Sequence, residues 1–260
     1  LSETDCHGSD LLEELPWDSQ HFGFRVAQIN SADVDDAGLE EVLQRARRTS
    51  VGLVYWATAA GRGVPERLLR DYTGVLVDWK TTLAADLPLG PSGTAPFRVE
   101  DWTIAEYPRQ PATRRLLELG IAAGAHSRFY RDSRIPREKA AGLFELWTQA
   151  CAQRTAADVV LTATRGRADS DPAGMVTLSV KEEVGQIGLI AVHQSARGKR
   201  IGDALLREAH RQMVQRGAKR TTVVTQRANV AACRLYERRG YSVQRVRQFF
   251  HFWPRETAAT

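Results

Sequence analysis

The 260-residue chain has no apolar run near the roughly 20 residues that a bilayer-spanning helix needs; its longest, such as "GLIAV", stop after a few positions. Its opening, "LSETDCHGSD", lacks the charged-then-apolar pattern of a secretory signal. Cysteine is scarce. Cys6, Cys151 and Cys233 are an odd number without metal-ligand spacing, which excludes a disulfide framework and a zinc site and suits a reducing cytoplasm. Neither G-x-x-x-x-G-K-[ST] nor G-x-G-x-x-G occurs, so the P-loop and the dinucleotide-binding fingerprint are both excluded. Internal repeats and low-complexity tracts are missing too. The apolar content of 43% and charged content of 26% are those of a globular chain long enough for an ordinary core.

Charge is unevenly spread. From Ile190 onward there are 15 Lys/Arg and 4 Asp/Glu, a balance of +11 against +5 for the whole chain, so the remainder carries −6. A basic C-terminal part implies an anionic partner there, nucleic acid or a phosphorylated small molecule. No nucleic-acid motif accompanies the charge, which favours the small molecule.

Hydrophobic periodicity points to a mixed α/β chain. "DDAGLEEVLQRARR" puts Leu39, Val42, Leu43 and Ala46 on one helical face. "VGLVYWAT" and "GVLVDWKTTL" are strand patterns, and "PERLLRDY" is a short helix opened by Pro65. The Pro- and Gly-rich "LPLGPSGTAP" suggests a domain border, giving a small α/β domain over 1–95 and a second domain over 96–260. The second domain is expected to open with a strand at "FRVEDW" and a helix at "TRRLLELGIAAGAHS". Next comes a helix with Ala140, Leu143, Phe144, Trp147 and Cys151 on its buried face. "DVVLTATR", "AGMVTLSVK" and "QIGLIAV" follow as an antiparallel meander. A helix with Ile201, Leu205, Leu206, Ala209 and Met213 inside, a strand "KRTTVVT", a helix capped by Asn229 and a long last strand complete the chain.

In "GLIAVHQSARGKRIGDALL" a strand leads through a short basic loop into a helix N-terminus, where free N–H groups and the helix dipole favour an anion. Arg197, Lys199 and Arg200 add formal charge. Downstream, Asn229 and Tyr236 are seven residues apart, about two helical turns, and share a face.

These stretches, "AVHQSARGKRIGDALL" and "NVAACRLYERRGY", resemble the acyl-CoA-binding core of the GNAT superfamily of N-acyltransferases, over roughly Phe97 to Trp253. The family's [QR]-x-x-G-x-[GA] loop corresponds to "RGKRIG", with Arg200 where glycine is usual. "LPWDSQHFGFRVAQI", "GAHSRFYRDSRIP" and "FFHFW" further resemble acetyltransferases of dTDP-4-amino-4,6-dideoxy sugars. The resemblance implies a GNAT acyltransferase fold, a mixed α/β sheet preceded by a small N-terminal α/β domain. It implies acetyl-CoA, or another acyl-CoA, as co-substrate. Ile190, Ala191 and Val192 would meet the pantetheine arm. Arg197, Gly198, Lys199, Arg200, Ile201, Gly202 and Asp203 would cradle the pyrophosphate, and Asn229 would bond the arm. The Val192 N–H would polarise the thioester carbonyl and Tyr236 would protonate the departing thiolate. His126, His193 or a water chain would take the proton of the attacking amine, His126 being the better placed of the two histidines for an acceptor. Trp17, Asp18, Phe22 and Arg128 would hold the acceptor, Trp17, Asp18 and the "HFGF" turn facing a cleft between the two parts. The implied acceptor is a small-molecule amine, a nucleotide diphospho-amino sugar, in a cytoplasmic biosynthetic enzyme; a homodimer is left open, with no metal, nucleic acid or membrane. An antibiotic, a polyamine or a protein amine is the alternative acceptor, and a non-catalytic acyl-CoA sensor the alternative role.

Overall fold

The computed structural model describes residues 11–89, 101–166 and 171–254. Its elements run β1 (Leu12–Glu14), α1 (Pro16–Phe22), β2 (Val26–Ile29), α2 (Asp36–Arg48), β3 (Leu53–Ala59), α3 (Glu66–Asp71) and β4 (Val75–Asp86). Then follow β5 (Trp102–Glu106), α4 (Arg114–Ala123), α5 (Arg128–Arg131), α6 (Arg137–Ala152), β6 (Val159–Arg165), β7 (Gly174–Lys181) and β8 (Val184–Val192). The chain finishes with α7 (Ile201–Gln215), β9 (Arg220–Gln226), α8 (Val230–Arg238) and β10 (Ser242–Phe252). No described helix is long and apolar enough to cross a membrane.

Two compact units result, and neither is a single stretch of chain. Unit 1 is Leu1–Lys80, Arg131–Ile135 and Val246–Thr260; unit 2 is Thr81–Tyr130 and Pro136–Arg245. The division expected at 95/96 falls outside the described residues, as do the first four residues of "FRVEDW".

In unit 1, β1 pairs antiparallel with β2, β2 parallel with β3, and β3 antiparallel with the end of β10, Phe252 opposite Val54. The expected face of α2 is the buried one, with Leu39, Val42, Leu43 and Ala46 packed in one cluster with Trp56, Leu68, Phe250 and Phe252. Each Leu, Val or Phe side chain among these contributes about 1.5–3 kcal/mol on burial. Helix α1, which no apolar period marks, is held by its own polar groups. Ser19 Oγ donates to Leu15 O (2.7 Å) and accepts from Val26 N (2.8 Å), and Gly23 ends the helix at φ +83°.

In unit 2, β6 to β8 form the expected antiparallel meander, β5 extends it by pairing antiparallel with β6, and β9 joins β8 in parallel, so the sheet is mixed. The two-residue β7–β8 turn puts Glu182 and Glu183 at φ +49° and +63°, both in the left-handed region that tight hairpins need. Helix α7 buries Ile201, Leu205, Leu206, Ala209 and Met213 against the meander. Gly185 lies close under it, and a Cβ there would lie 2.4 Å from Met213 Sδ, so the methionine side chain would have to move. Helix α6 departs from expectation at one position. Trp147 is 42% exposed and Thr148 takes the buried place, bonded to Phe144 O at 2.6 Å. The cause is close packing on α4, where a Cβ on Gly120 would meet Thr148 Oγ1.

Candidate active site

Strands β8 and β9 pair only over Val184–Ile187 and Arg220–Val223, although β8 continues to Val192 and β9 to Gln226. The edge of β8 beyond Ile187 is therefore not paired with β9. Which backbone groups face that edge follows from strand alternation. His193 N donates to Ala173 O at 2.7 Å, so His193 and Ala191 bond toward β7. Val192 and Ile190 then turn their N–H and C=O groups toward the β9 side. An extended amide-bearing ligand would find strand-like partners there.

The loop after β8 ends in a turn that leaves its donors open. Gly198 has φ +78° and Arg200 φ +59°, ψ +14°. A left-handed non-glycine residue at this point costs about 1–2 kcal/mol. Among the described residues, no backbone carbonyl accepts from the N–H groups of residues 198–203. Helix α7 also has no side-chain cap, so its dipole end is unscreened. A Cβ on Gly202 would sit 3.7 Å from Val192 Cγ2 and from Leu235 Cδ2, ordinary contact distances. The protein therefore does not itself require glycine at 202, and the bare backbone leaves room for a ligand. These features fit a bound phosphate.

The charged residues divide their work. Lys199 and Arg200 are exposed at the loop tip. Arg197 turns back, its Nε donating to Val192 O at 3.2 Å, so it braces the end of β8. Asp203 is gripped by both guanidinium arms of Arg239, with Arg207 at 3.4 Å. A carboxylate in the first turn of α7 would repel a phosphate; paired with Arg239 it instead ties α7 to α8.

Helix α8 brings the second half. Asn229 caps it, Oδ1 accepting from Ala232 N at 3.2 Å, which leaves the amide NH2 for other partners. Tyr236 lies in the same cluster as Ile201, Val192 and Leu235 and is 2% exposed. Burial above all, then the neighbouring Tyr241 and Cys233, pushes its phenol well above the usual value, so it stays protonated. Among the described residues its hydroxyl has no hydrogen-bond partner, which leaves the proton available.

The remaining candidates are spread over both units. In unit 2, His193 caps a short turn, Nδ1 lying 2.8 Å from Ser195 Oγ. His126 is exposed between α4 and α5, and Arg128 lies over the Phe129 ring at 4.7 Å. In unit 1, Trp17 is 53% exposed and stacks on His21 at 5.5 Å; Asp18 accepts from Tyr55 OH at 3.3 Å; Phe22 is buried and stacks on Phe24 at 5.8 Å.

Two buried polar groups went unforeseen. In unit 1, Asp132 accepts from His251 Nδ1 (2.8 Å) and Trp253 Nε1 (3.0 Å). Burial alone would raise its carboxyl, but these bonds, with that from Arg134 N–H, outweigh burial and hold it low. In unit 2, Tyr241 OH meets His210 Nε2 at 2.7 Å and Thr221 Oγ1 at 2.9 Å. Only "FFHFW" and "RRGY", histidine or tyrosine within apolar or helix-ending runs, hinted at either.

Comparison with known proteins agrees with this geometry. Residues 122–241 match the family described as Acetyltransferase (GNAT) family. A curated relative, the spore coat polysaccharide biosynthesis protein SpsD of Bacillus subtilis (strain 168), is 28% identical over 152 residues, 58% of this chain and 51% of the relative. The chain thus spans about half the length of that relative. Among solved structures, a GCN5-related N-acetyltransferase from Sphaerobacter thermophilus aligns with TM-score 0.59 at 17% identity, covering 96% of this chain and 78% of its own. One from Kribbella flavida aligns with TM-score 0.50 at 14% identity, covering 88% and 81%. Such identities speak for the fold alone. The interrupted β8–β9 pairing and the open loop both lie within residues 122–241, the stretch that matches the GNAT family.

Proposed function

We propose that the chain is an acyl-CoA-dependent N-acyltransferase whose acceptor is the amine of a nucleotide-linked amino sugar. The observation that carries the reading is the unpaired end of β8, with Val192 N–H turned outward beside the open loop at Arg200. Amine attack on a thioester needs an oriented carbonyl, a neutral amine and a proton for the thiolate. The acyl-CoA supplies the activated acyl group. Ile190 and Val192 offer backbone partners to the pantetheine amides, and the N–H groups of residues 198–203, with Lys199 and Arg200, hold the pyrophosphate. Val192 N–H is the donor for the charge that grows on the carbonyl oxygen. Asn229 lends its free amide to the arm. Tyr236, kept protonated by burial, donates to the departing thiolate. The exposed His126 is the assigned base.

The sugar half rests on two observations: the similarity to SpsD, a protein named for spore coat polysaccharide biosynthesis, and the exposed indole of Trp17. We assign Trp17, Asp18, Phe22 and Arg128 to the acceptor, and the small N-terminal domain to its recognition. Thiol release from acetyl-CoA, measured over nucleotide-linked amino sugars, free amino sugars, polyamines, aminoglycosides and peptide amines, tests this. Turnover is expected with the nucleotide-linked sugars. Turnover confined to any other class overturns the acceptor assignment, and acyl-CoA binding without turnover on any amine overturns the enzymatic one.

A further inference from the structure

We propose that Tyr241 is a positioning residue for Tyr236, a proposal that rests on reading Tyr236 as the proton donor. A donor to the substrate must keep its hydroxyl free of protein partners, as that of Tyr236 is among the described residues. Its ring must then be held by its surroundings. Tyr241 is the aromatic neighbour, with ring centroids 5.5 Å apart and planes at 54°. Its backbone N–H also donates to Tyr236 O at 3.1 Å, just after α8 ends.

Tyr241 is itself fixed. Its hydroxyl is bonded to His210 Nε2 (2.7 Å) and Thr221 Oγ1 (2.9 Å), so one ring is anchored to α7 and β9 together. All three side chains are buried, Tyr241 within the apolar cluster that also contains Tyr236. A phenylalanine would fill the same space with no polar group to satisfy. Three buried polar groups that satisfy one another narrow the ring to one placement. Burial, with the Arg239 charge, pushes the His210 imidazole down to about 4, so at neutral pH it is an uncharged partner. Neighbouring Asp203 opposes that shift. Burial likewise raises Tyr241, which stays a phenol. The network is thus neutral and tethers the ring beside Tyr236 without adding charge next to the phenol that must give up its proton.

Tyr241→Phe keeps the ring and the backbone bond and removes the tether. Its kcat is expected to fall about tenfold, since small misplacements at a reacting centre are costly. KM for acyl-CoA should stay within about twofold. In a Tyr236→Phe background the same change should cost nothing more, because there is no longer a donor to place. Val159→Ala, a core change on β6 chosen for a similar loss of Tm, should leave kcat alone. If Tyr241→Phe is too unstable to purify, Thr221→Val removes one of the two tethers. It should lower kcat about two- to threefold, again only when Tyr236 is present. An unchanged kcat in either tether variant, an equal loss in the Tyr236→Phe background, or an equal loss in Val159→Ala overturns the proposal. Wild-type turnover in Tyr236→Phe alone would overturn the underlying reading first, and the proposal with it.

Discussion

Helices α7 and α8 begin in opposite ways. At α8 the side chain of Asn229 closes the N-terminus by accepting from Ala232 N. At α7 the corresponding residue is Arg200, which caps nothing and sits in a left-handed backbone conformation. Side chains close the starts of α2 at Asp35 and α4 at Thr113, whereas α1, α3 and α6 begin at Leu15, Pro65 and Pro136 with no side-chain cap. The start of α7 differs from these in carrying basic side chains at its rim, with its nearest carboxylate occupied by Arg239, an arrangement that would suit an anion. Charge removal at the α7 start should therefore act on binding with little cost in stability, whereas Asn229 at the α8 start should matter to both.

The largest effect belongs to the buried end of α8. Tyr236→Phe preserves the ring and its packing, so folding and CoA affinity should change little. Turnover should drop by about 10²–10⁴, the usual loss for a positioned general acid. Near-normal turnover would remove Tyr236 from the chemistry, and loss of folding would make α8 structural along its whole length.

Behind α7 lies a pH dependence. His210 titrates near 6.5 when unfolded and at about 4 in the fold, because burial, above all, disfavours its charged form. Between these values the unfolded chain binds the extra proton. The contribution is thus complete above about pH 6.5 and lost as pH falls toward 4. At about 1.36 kcal/mol per pKa unit, up to roughly 3 kcal/mol is involved. Denaturant titrations at pH 7 and pH 4.5 should show the loss in the wild type and a smaller one in His210→Gln. Equal losses would place the acid sensitivity elsewhere.

The two helix starts can be set against each other directly. Lys199→Ala with Arg200→Ala should weaken CoA binding about tenfold at low salt, and less at high salt, where exposed charges are screened. Asn229→Ala should lower stability by about 1 kcal/mol, as lost caps do, and should also weaken CoA binding because the amide assigned to the arm is lost. If the loop pair changed only stability, the division between an open and a closed start would fail.

Much of this was legible in the sequence where it is local. The apolar faces of α2 and α7, the β6–β8 meander, the Asn229 cap and the basic loop all follow from spacing within a few residues. What depends on distant partners was not. The interruption of β8–β9 pairing is a relation between strands separated by α7. Asp203 looks like a phosphate neighbour until Arg239, 36 residues on, takes it. Trp147 fits an apolar period, yet Gly120 on another helix draws Thr148 inward instead. The end of β10 pairs with β3, and so returns the last stretch of chain to unit 1, which no border drawn along the sequence can express.

The smallest effect is the sharpest test of why Arg200 is there. Its φ of +59° is one that glycine adopts freely and an L side chain does not. Relief of that conformation favours Arg200→Gly by about 1–2 kcal/mol. The greater freedom of glycine in the unfolded chain takes back roughly 0.5–1 kcal/mol. Arg200 is exposed, so no packing is lost. The net change is a gain of at most about 1.5 kcal/mol, a rise in Tm of up to about 3–6 °C for a chain of this size. Affinity should move the other way. The open N–H groups remain, but one guanidinium at the loop tip is gone, and the CoA dissociation constant should rise severalfold at low salt. A melting curve and a CoA titration on one variant thus give opposite signs if the arginine is kept for its charge against a backbone preference. A higher Tm with unchanged affinity would mean that the backbone alone binds the phosphate. A lower Tm would mean that Arg200 stabilises the loop in a way that its exposed side chain does not reveal.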